Sequence, residues 1–267
     1  MNATLPTPVP SPVPTSLAGL PAQLARDGWA VVDAAALRTL CRLAPDSQQR
    51  WQTEWPALPP DPHLRDGGRY RRRRHGCFVV TPQAVQPVLH RAHWQPVDYN
   101  ALHGGFQRWF EPLPEAWAQD PAWSHLLQGL ATVADTLRGA GPWFVEAHPF
   151  RIDTEGAGAI GRPTPEGAHR DGVDLVVVVI VARHNVKGGE TRVFDAVGPH
   201  GVRFTLAEPW SALLLDDARV IHETTPIQPQ DPSRPAWRDT LVLTFRQGGF
   251  QGPEIEQSTE PSTEPSA

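Results

Sequence analysis

The stretch Val173-Asp-Leu-Val-Val-Val-Val-Ile-Val-Ala182 constrains the fold more than any other part of this chain. Seven of its ten residues are Val or Ile, whose branched side chains suit a pleated strand and resist the helix. The spacing therefore predicts a strand in a substantial sheet. Directly upstream lies Pro163-Thr-Pro-Glu-Gly-Ala-His-Arg-Asp-Gly172. If the strand extends back through it, residues two apart share a face, and His169 and Asp171 aim an imidazole and a carboxylate at one point. Taken alone, the pair is a weak signal, because a histidine on a strand is more often a hydrogen-bonded core or edge residue than a ligand.

The context adds to it. A third ligand type arrives at His222, after the apolar segment Ser211-Ala-Leu-Leu-Leu215 and the short Arg219-Val-Ile-His222. Two histidines and one carboxylate on one face of an octahedral ion leave three positions open, the arrangement of non-haem Fe(II) oxygenases. His184 and His200 compete for the role, but neither pairs with a carboxylate at strand spacing. Gly188-Gly-Glu-Thr191 reads as a turn into a strand at Arg192-Val-Phe194, and Arg238-Asp-Thr-Leu-Val-Leu-Thr-Phe-Arg246 as a final alternating strand. Arg238 and Thr240 share a face there, and a forked guanidinium beside a hydroxyl suits a carboxylate.

The order His-x-Asp, Gly-Gly-Glu-Thr, distal His, then Arg-x-Thr resembles the Fe(II)/2-oxoglutarate-dependent dioxygenases. The segments PTPEGAHRDGVD, ARHNVKGGET, IHETTPI and RDTLVLTFR are similar to the bacterial family of isoleucine 4-hydroxylases and related free L-amino-acid hydroxylases. The likeness is dense from about residue 143 to 246, with weaker echoes in RYRRRRHGCF and DYNALHGGFQRWF. It implies a mainly β fold with flanking helices (α+β), built on a double-stranded β-helix of the jelly-roll or cupin-like type. It implies Fe(II) on His169, Asp171 and His222, with the far carboxylate of 2-oxoglutarate on Arg238 and Thr240. The co-substrates implied are 2-oxoglutarate and O2, the products succinate, CO2 and a hydroxylated small polar molecule, first among them a free L-amino acid. Two other readings stand beside it: hydroxylation of a peptide or protein side chain, and a non-catalytic β-helix module binding a small acid or metal.

Composition narrows the partners. At 267 residues with a net charge of -5 and a pI near 6.1, the chain lacks the basic footprint of a nucleic-acid binder. No apolar run is long enough to span a bilayer, and no secretory signal is evident, so a cytoplasmic protein with a small-molecule substrate is expected. Two cysteines, Cys41 and Cys77, read as buried apolar residues. Oligomeric state is not legible.

Along the chain, residues 1–16 are Pro-rich and read as a disordered arm, and 251–267 as a disordered tail. Between them, 17–250 is expected to form a single dioxygenase domain, with 17–142 a helical and strand elaboration and 143–250 the β-helix core. The pattern predicts a short helix over 17–27, a strand over 29–32, and a helix from the cap Asp33 through 43. Residues 46–66 are expected to hold one short helix and a loop. Arg69-Tyr-Arg-Arg-Arg-Arg-His75 leads into a strand at Gly76-Cys-Phe-Val-Val80; on a strand its arginines divide between a solvated face and one able to reach an anionic ligand. Asp120-Pro121 opens the clearest helix, with Trp123, Leu126, Leu127, Leu130, Val133 and Leu137 on one face and glycines at 139 and 141 closing it. The strand 143–152 turns Glu146 and His148 to one side, and these two with Asn100 are candidate pocket residues. A structural role is as compatible with each.

Overall fold

The computed structural model describes residues 10–154 and 159–253. Within them lie strands β1 (Trp29–Val32), β2 (Arg71–Arg73), β3 (Gly76–Val80), β4 (Val85–Pro87), β5 (Trp143–Asp153), β6 (Leu175–His184), β7 (Val186–Gly188), β8 (Thr191–Asp195), β9 (Gly201–Phe204), β10 (Ala212–Asp216), β11 (Val220–Thr224), β12 (Ile227–Pro229) and β13 (Trp237–Arg246). The helices are α1 (Leu20–Asp27), α2 (Ala34–Leu40), α3 (Ser47–Gln52), α4 (Glu115–Gln119) and α5 (Pro121–Arg138), with a 3-10 turn at Trp55–Ala57.

The strands form a large antiparallel sheet in the order β1-β10-β6-β13-β5-β3-β4, with β2 also on β5. A smaller sheet, β11-β8-β9, and the pair β12-β7 oppose it. This is the jelly roll that the strand pattern and the family resemblance predicted. Strand parity sorts the side chains between two cores. Val177, Val179 and Val181 of β6, Leu214 of β10, Leu241, Leu243 and Phe245 of β13, and Val145 and Ala147 of β5 face outward onto the helices. Val176 and Ile180 of β6, with Leu213 and Leu215 of β10, face inward against Val193, Phe204 and Val220 of the smaller sheet. At the other end of the inner face, Glu146, His148, Phe150 and Ile152 of β5 and Arg238, Thr240, Val242 and Thr244 of β13 line a cavity.

Helix α5 covers the outer face. Its cap is the expected one: Asp120 accepts a hydrogen bond from the Ala122 N–H at 2.9 Å, Pro121 occupies the first turn, and the Gly139 N–H returns to the Asp135 carbonyl. The same Asp120 accepts from Trp51 Nε1 at 2.9 Å, tying α3 to α5. Trp51, Trp55, Trp117, Trp123 and Trp210 all belong to this outer core. With Trp143, six of the ten tryptophans of the chain pack between the helices and the sheet.

Several boundaries differ from those read in the sequence. Helix α1 starts at Leu20 and α2 ends at Leu40. The described part of the Pro-rich arm, 10–16, is not free: the Thr15 N–H donates to the Val31 carbonyl at 2.7 Å, and the Pro10 carbonyl accepts from Thr205 at 3.1 Å. Edge strand β1 offers unpaired backbone groups, which the arm uses. Residues 1–9 of the arm and 254–267 of the tail lie outside the described residues. Cys41 and Cys77 are buried thiols, as expected. Strands β1 to β4, from the part of the chain read as an elaboration, are members of the large sheet itself. Among the described residues, no helix is long and apolar enough to cross a membrane.

Candidate active site

His169 and Asp171 do not sit on the long strand, which begins only at Leu175. Asp217, in the turn after β10, explains the difference. Its carboxylate accepts from the backbone N–H groups of Asp171, Gly172 and Val173 at 3.0, 2.7 and 3.1 Å, and Gly172 takes a left-handed φ of 75°. A side chain there would collide with Tyr99 and Gln251 at 2.7 Å, so the turn requires glycine. The convergence foreseen from strand parity is real, but a turn built on Asp217 produces it. His169 and His222 meet as an isolated antiparallel bridge, each donating its N–H to the other's carbonyl at 3.0 and 2.9 Å.

His169 Nε2 lies 3.7 Å from Asp171 Oδ1, and His222 Nε2 lies 3.9 Å from Asp171 Oδ2. Imidazole and carboxylate ligands bind divalent metals at about 2.0–2.2 Å, so both separations fall within the span of ligands around one ion. The His169 Nδ1–H donates to the Gly167 carbonyl at 2.9 Å, which leaves the Nε2 lone pair facing Asp171. Gln95 Nε2 donates to Asp171 Oδ1 at 3.0 Å and steadies the carboxylate. Carboxylates crowd here: Glu166 Oε1 is 3.5 Å from His169 Nε2, and burial together with the charge of Asp171 pushes Asp217 up to about 7. Such a concentration of negative charge suits a dication.

A second cluster offers four ligand types. His75 Nε2, His93 Nδ1 and His148 Nε2 approach one oxygen of Glu146 at 3.1, 2.6 and 3.5 Å, all four residues buried. Tautomers decide what it can do. Arg73 Nη2 donates to His148 Nδ1 at 2.7 Å, and a guanidinium nitrogen has no lone pair to accept with. The proton of His148 is therefore on Nε2, facing Glu146, where a metal would need a lone pair. Burial and Arg73, outweighing Glu146, keep His148 neutral, and burial holds His93 down at about 3. The cluster is a carboxylate clasped by imidazole N–H groups.

Arg238 is buried, with burial and the neighbouring Arg183 charge pulling it down to about 9. Its Nε has no partner, and among the described residues no carboxylate lies within ion-pair reach of it. Arg183, its register partner on β6, also has an unpartnered buried Nη1. Thr240 follows on the cavity side of a β-bulge between β6 and β13.

Residues 52–244 match the family described as 2OG-Fe dioxygenase. The chain belongs to that family. It is a 2OG-Fe dioxygenase, an enzyme that uses Fe(II), 2-oxoglutarate and O2. Over 154 residues it is 29% identical to the 3(1)-hydroxy-L-isoleucine 4-dioxygenase of Pantoea ananatis (strain AJ13355), covering 55% of this chain and 61% of that relative's length. A crystal structure of a bsmA homolog from Methylobium petroleophilum PM1 is 56% identical, with a TM-score of 0.85 over 92% of this chain and 98% of that one. The structure of IDO from Bacillus thuringiensis shares the fold at 14% identity and a TM-score of 0.70, over 89% and 100% of the two chains.

The donor set at His169, Asp171 and His222 fits iron, whereas in the set around Glu146 the residue His148 turns an N–H and not a lone pair toward the common point. Glu146, His148 and Asn100 all line the same cavity. Asn100 acts within the wall, donating to Gln95 Oε1 at 3.1 Å and accepting from the His103 N–H at 2.7 Å. His184 stacks on Trp237 at 4.1 Å, away from the triad. The sequence reading did not single out Gln95, Arg73, Arg108, His93, Glu166, Arg183 or Asp217. Only the alternation in Arg71-Arg-Arg-Arg74 was a usable signal, and Arg71 and Arg73 are indeed its inward pair.

Proposed function

We propose that this enzyme hydroxylates a free L-amino acid, holding Fe(II) on His169, Asp171 and His222 and the far carboxylate of 2-oxoglutarate on Arg238 with Thr240. The observation that carries the reading is one cavity holding both the triad and a buried guanidinium without a counter-ion. Iron(II), 2-oxoglutarate and O2 supply the oxidant that converts a substrate C–H to C–OH while succinate and CO2 leave. The chain supplies the rest. His169 is oriented by the Gly167 carbonyl, Asp171 by Gln95 and by the turn on Asp217. Arg238 fixes one end of the co-substrate, and Val178, Val242, Phe144 and Phe150 give the cavity apolar walls that exclude water from the reacting carbon. The amino-acid assignment draws further support from the relative named for a hydroxy-isoleucine.

The test is anaerobic addition of Fe(II) and 2-oxoglutarate to purified protein, watching for the visible band of their chelate, then air with the twenty amino acids and an assay for succinate. Decay of the band with one amino acid gaining an oxygen is the expected result. A band whose succinate is coupled to no amino acid would remove the substrate assignment. No band in folded, iron-loaded protein would remove the site assignment.

A further inference from the structure

We propose that Arg73 and Arg108 form the receptor for the substrate's own carboxylate, so that the enzyme takes free acids and rejects their amides. The inference rests on the amino-acid reading above and names the part of the pocket that would enforce it.

Arg73 and Arg108 are 3% and 2% exposed and line the cavity that holds the triad. Arg73 lies over the Phe110 ring at 3.8 Å and the Phe150 ring at 4.4 Å, a cation held by two aromatic faces. Its Nη2 donates to neutral His148 at 2.7 Å, and its Nε has no partner. Arg108 Nη2 donates to the neutral Gln95 Oε1 at 2.7 Å, and its Nε also has no partner. Of the acids whose charge reaches them, Asp61 pairs with Arg71 at 2.7 Å and Glu146 with the histidines, while Glu166 approaches His169 at 3.5 Å and forms no ion pair with either arginine. Among the described residues, neither Arg73 nor Arg108 pairs with a carboxylate. Two desolvated guanidinium groups without a counter-ion are costly in the empty pocket and call for an anion in the filled one.

Position separates this anion from 2-oxoglutarate. Arg73 stands on β2, opposite Phe150 of β5, whereas Thr240 stands opposite Phe150 from the other side, on β13 with Arg238. The two cationic sites flank β5. The Arg73 and Arg108 side is also wired to the triad, because Gln95 accepts from Arg108 and donates to Asp171. A carboxylate seated on Arg108 therefore holds the remainder of a small acid beside the metal ligands.

The experiment is calorimetric titration of the anaerobic protein carrying Fe(II) and 2-oxoglutarate with L-amino acids, the matching 2-hydroxy acids and the amino-acid amides. It is repeated on R108Q and R73Q, with folding checked by circular dichroism and 2-oxoglutarate affinity measured for each. The expected result is an acid that binds at least 30-fold more tightly than its amide, with R108Q removing that preference while its 2-oxoglutarate affinity stays within threefold of wild type. If R73Q does not fold, R108Q and the acid–amide comparison in wild-type protein carry the test. A 2-hydroxy acid that binds through Arg108 where no amino acid binds would sink the amino-acid reading and leave the receptor standing. Acid and amide binding equally, no acid binding at all, or an R108Q that loses 2-oxoglutarate instead would each overturn the receptor.

Discussion

A histidine can bind a metal or brace a carboxylate, and one proton decides which. In His169 the Gly167 carbonyl holds the proton on Nδ1 and frees Nε2; in His148 an arginine forces it onto Nε2. The prediction is that H169A and D171A abolish iron-dependent succinate formation and weaken iron binding, whereas H148A retains iron; anaerobic metal titration measures both. Loss of iron by H148A alone would show the second cluster to be the metal site. Arg238 gives a second test. Truncating one member of a buried charged pair costs about 2–5 kcal/mol, so R238M is expected to raise the KM for 2-oxoglutarate at least about 30-fold, read by succinate assay at saturating iron. His169, Asp171, His222, Arg238 and Thr240 were nominated by a family resemblance carried on short motifs, and all five line one cavity. Arg108 and Gln95 could not be picked out, since arginine and glutamine are ordinary surface residues until a register turns them inward, and for Arg73 the alternation of its run pointed only to one of two faces.

At the scale of elements, close packing reverses a familiar preference. Gly129 lies in the middle of α5, where alanine ordinarily stabilises a helix by about 1 kcal/mol. Here an added Cβ would stand 2.7 Å from the Cys41 Cα and 2.9 Å from the Leu40 carbonyl, both backbone atoms at the end of α2. G129A is therefore expected to destabilise the protein by about 1–3 kcal/mol, measured by urea unfolding; a gain in stability would mean that the two helices separate easily. The helix itself was legible to the residue, because Asp120-Pro121 and Gly139 mark its ends chemically. The start of β6 was not. Val173 and Asp174 have sequence neighbours suited to a strand, but the Val173 N–H is claimed by Asp217, a residue 44 positions away. The Val173 N–H thus serves the Asp217 turn, and the Asp174 N–H is the first to reach β13, donating to the Phe245 carbonyl at 2.9 Å.

For the whole molecule, the buried histidines set the response to acid. Burial outweighs Glu146 and holds His93 down at about 3, against an ordinary value of 6.5. Between those limits the folded protein keeps His93 neutral while the unfolded chain takes up a proton, so stability falls as pH drops through 6.5 toward 3. One such group costs about 2 kcal/mol between pH 7 and 5. H93N keeps an N–H near the Nδ1 position and cannot titrate, so its midpoint in urea should fall less than that of wild type over this range; an unchanged pH dependence would contradict the assignment. Co-substrate binding acts in the opposite sense. Fe(II) with 2-oxoglutarate at about 100 times their dissociation constant should add about 2.7 kcal/mol, seen as a raised melting temperature that D171A lacks. The sequence by itself determined the long central strand and the covering helix, because alternation and capping are local properties, and it nominated residues for iron and a carboxylate through a family resemblance. Only the tertiary structure decided which nitrogen each histidine presents, which arginines face the cavity without a counter-ion, and that Asp217 brings His169 and Asp171 together. Each of these depends on contacts between residues distant in the chain, and an energy that turns on burial is fixed only when the chain has closed around it.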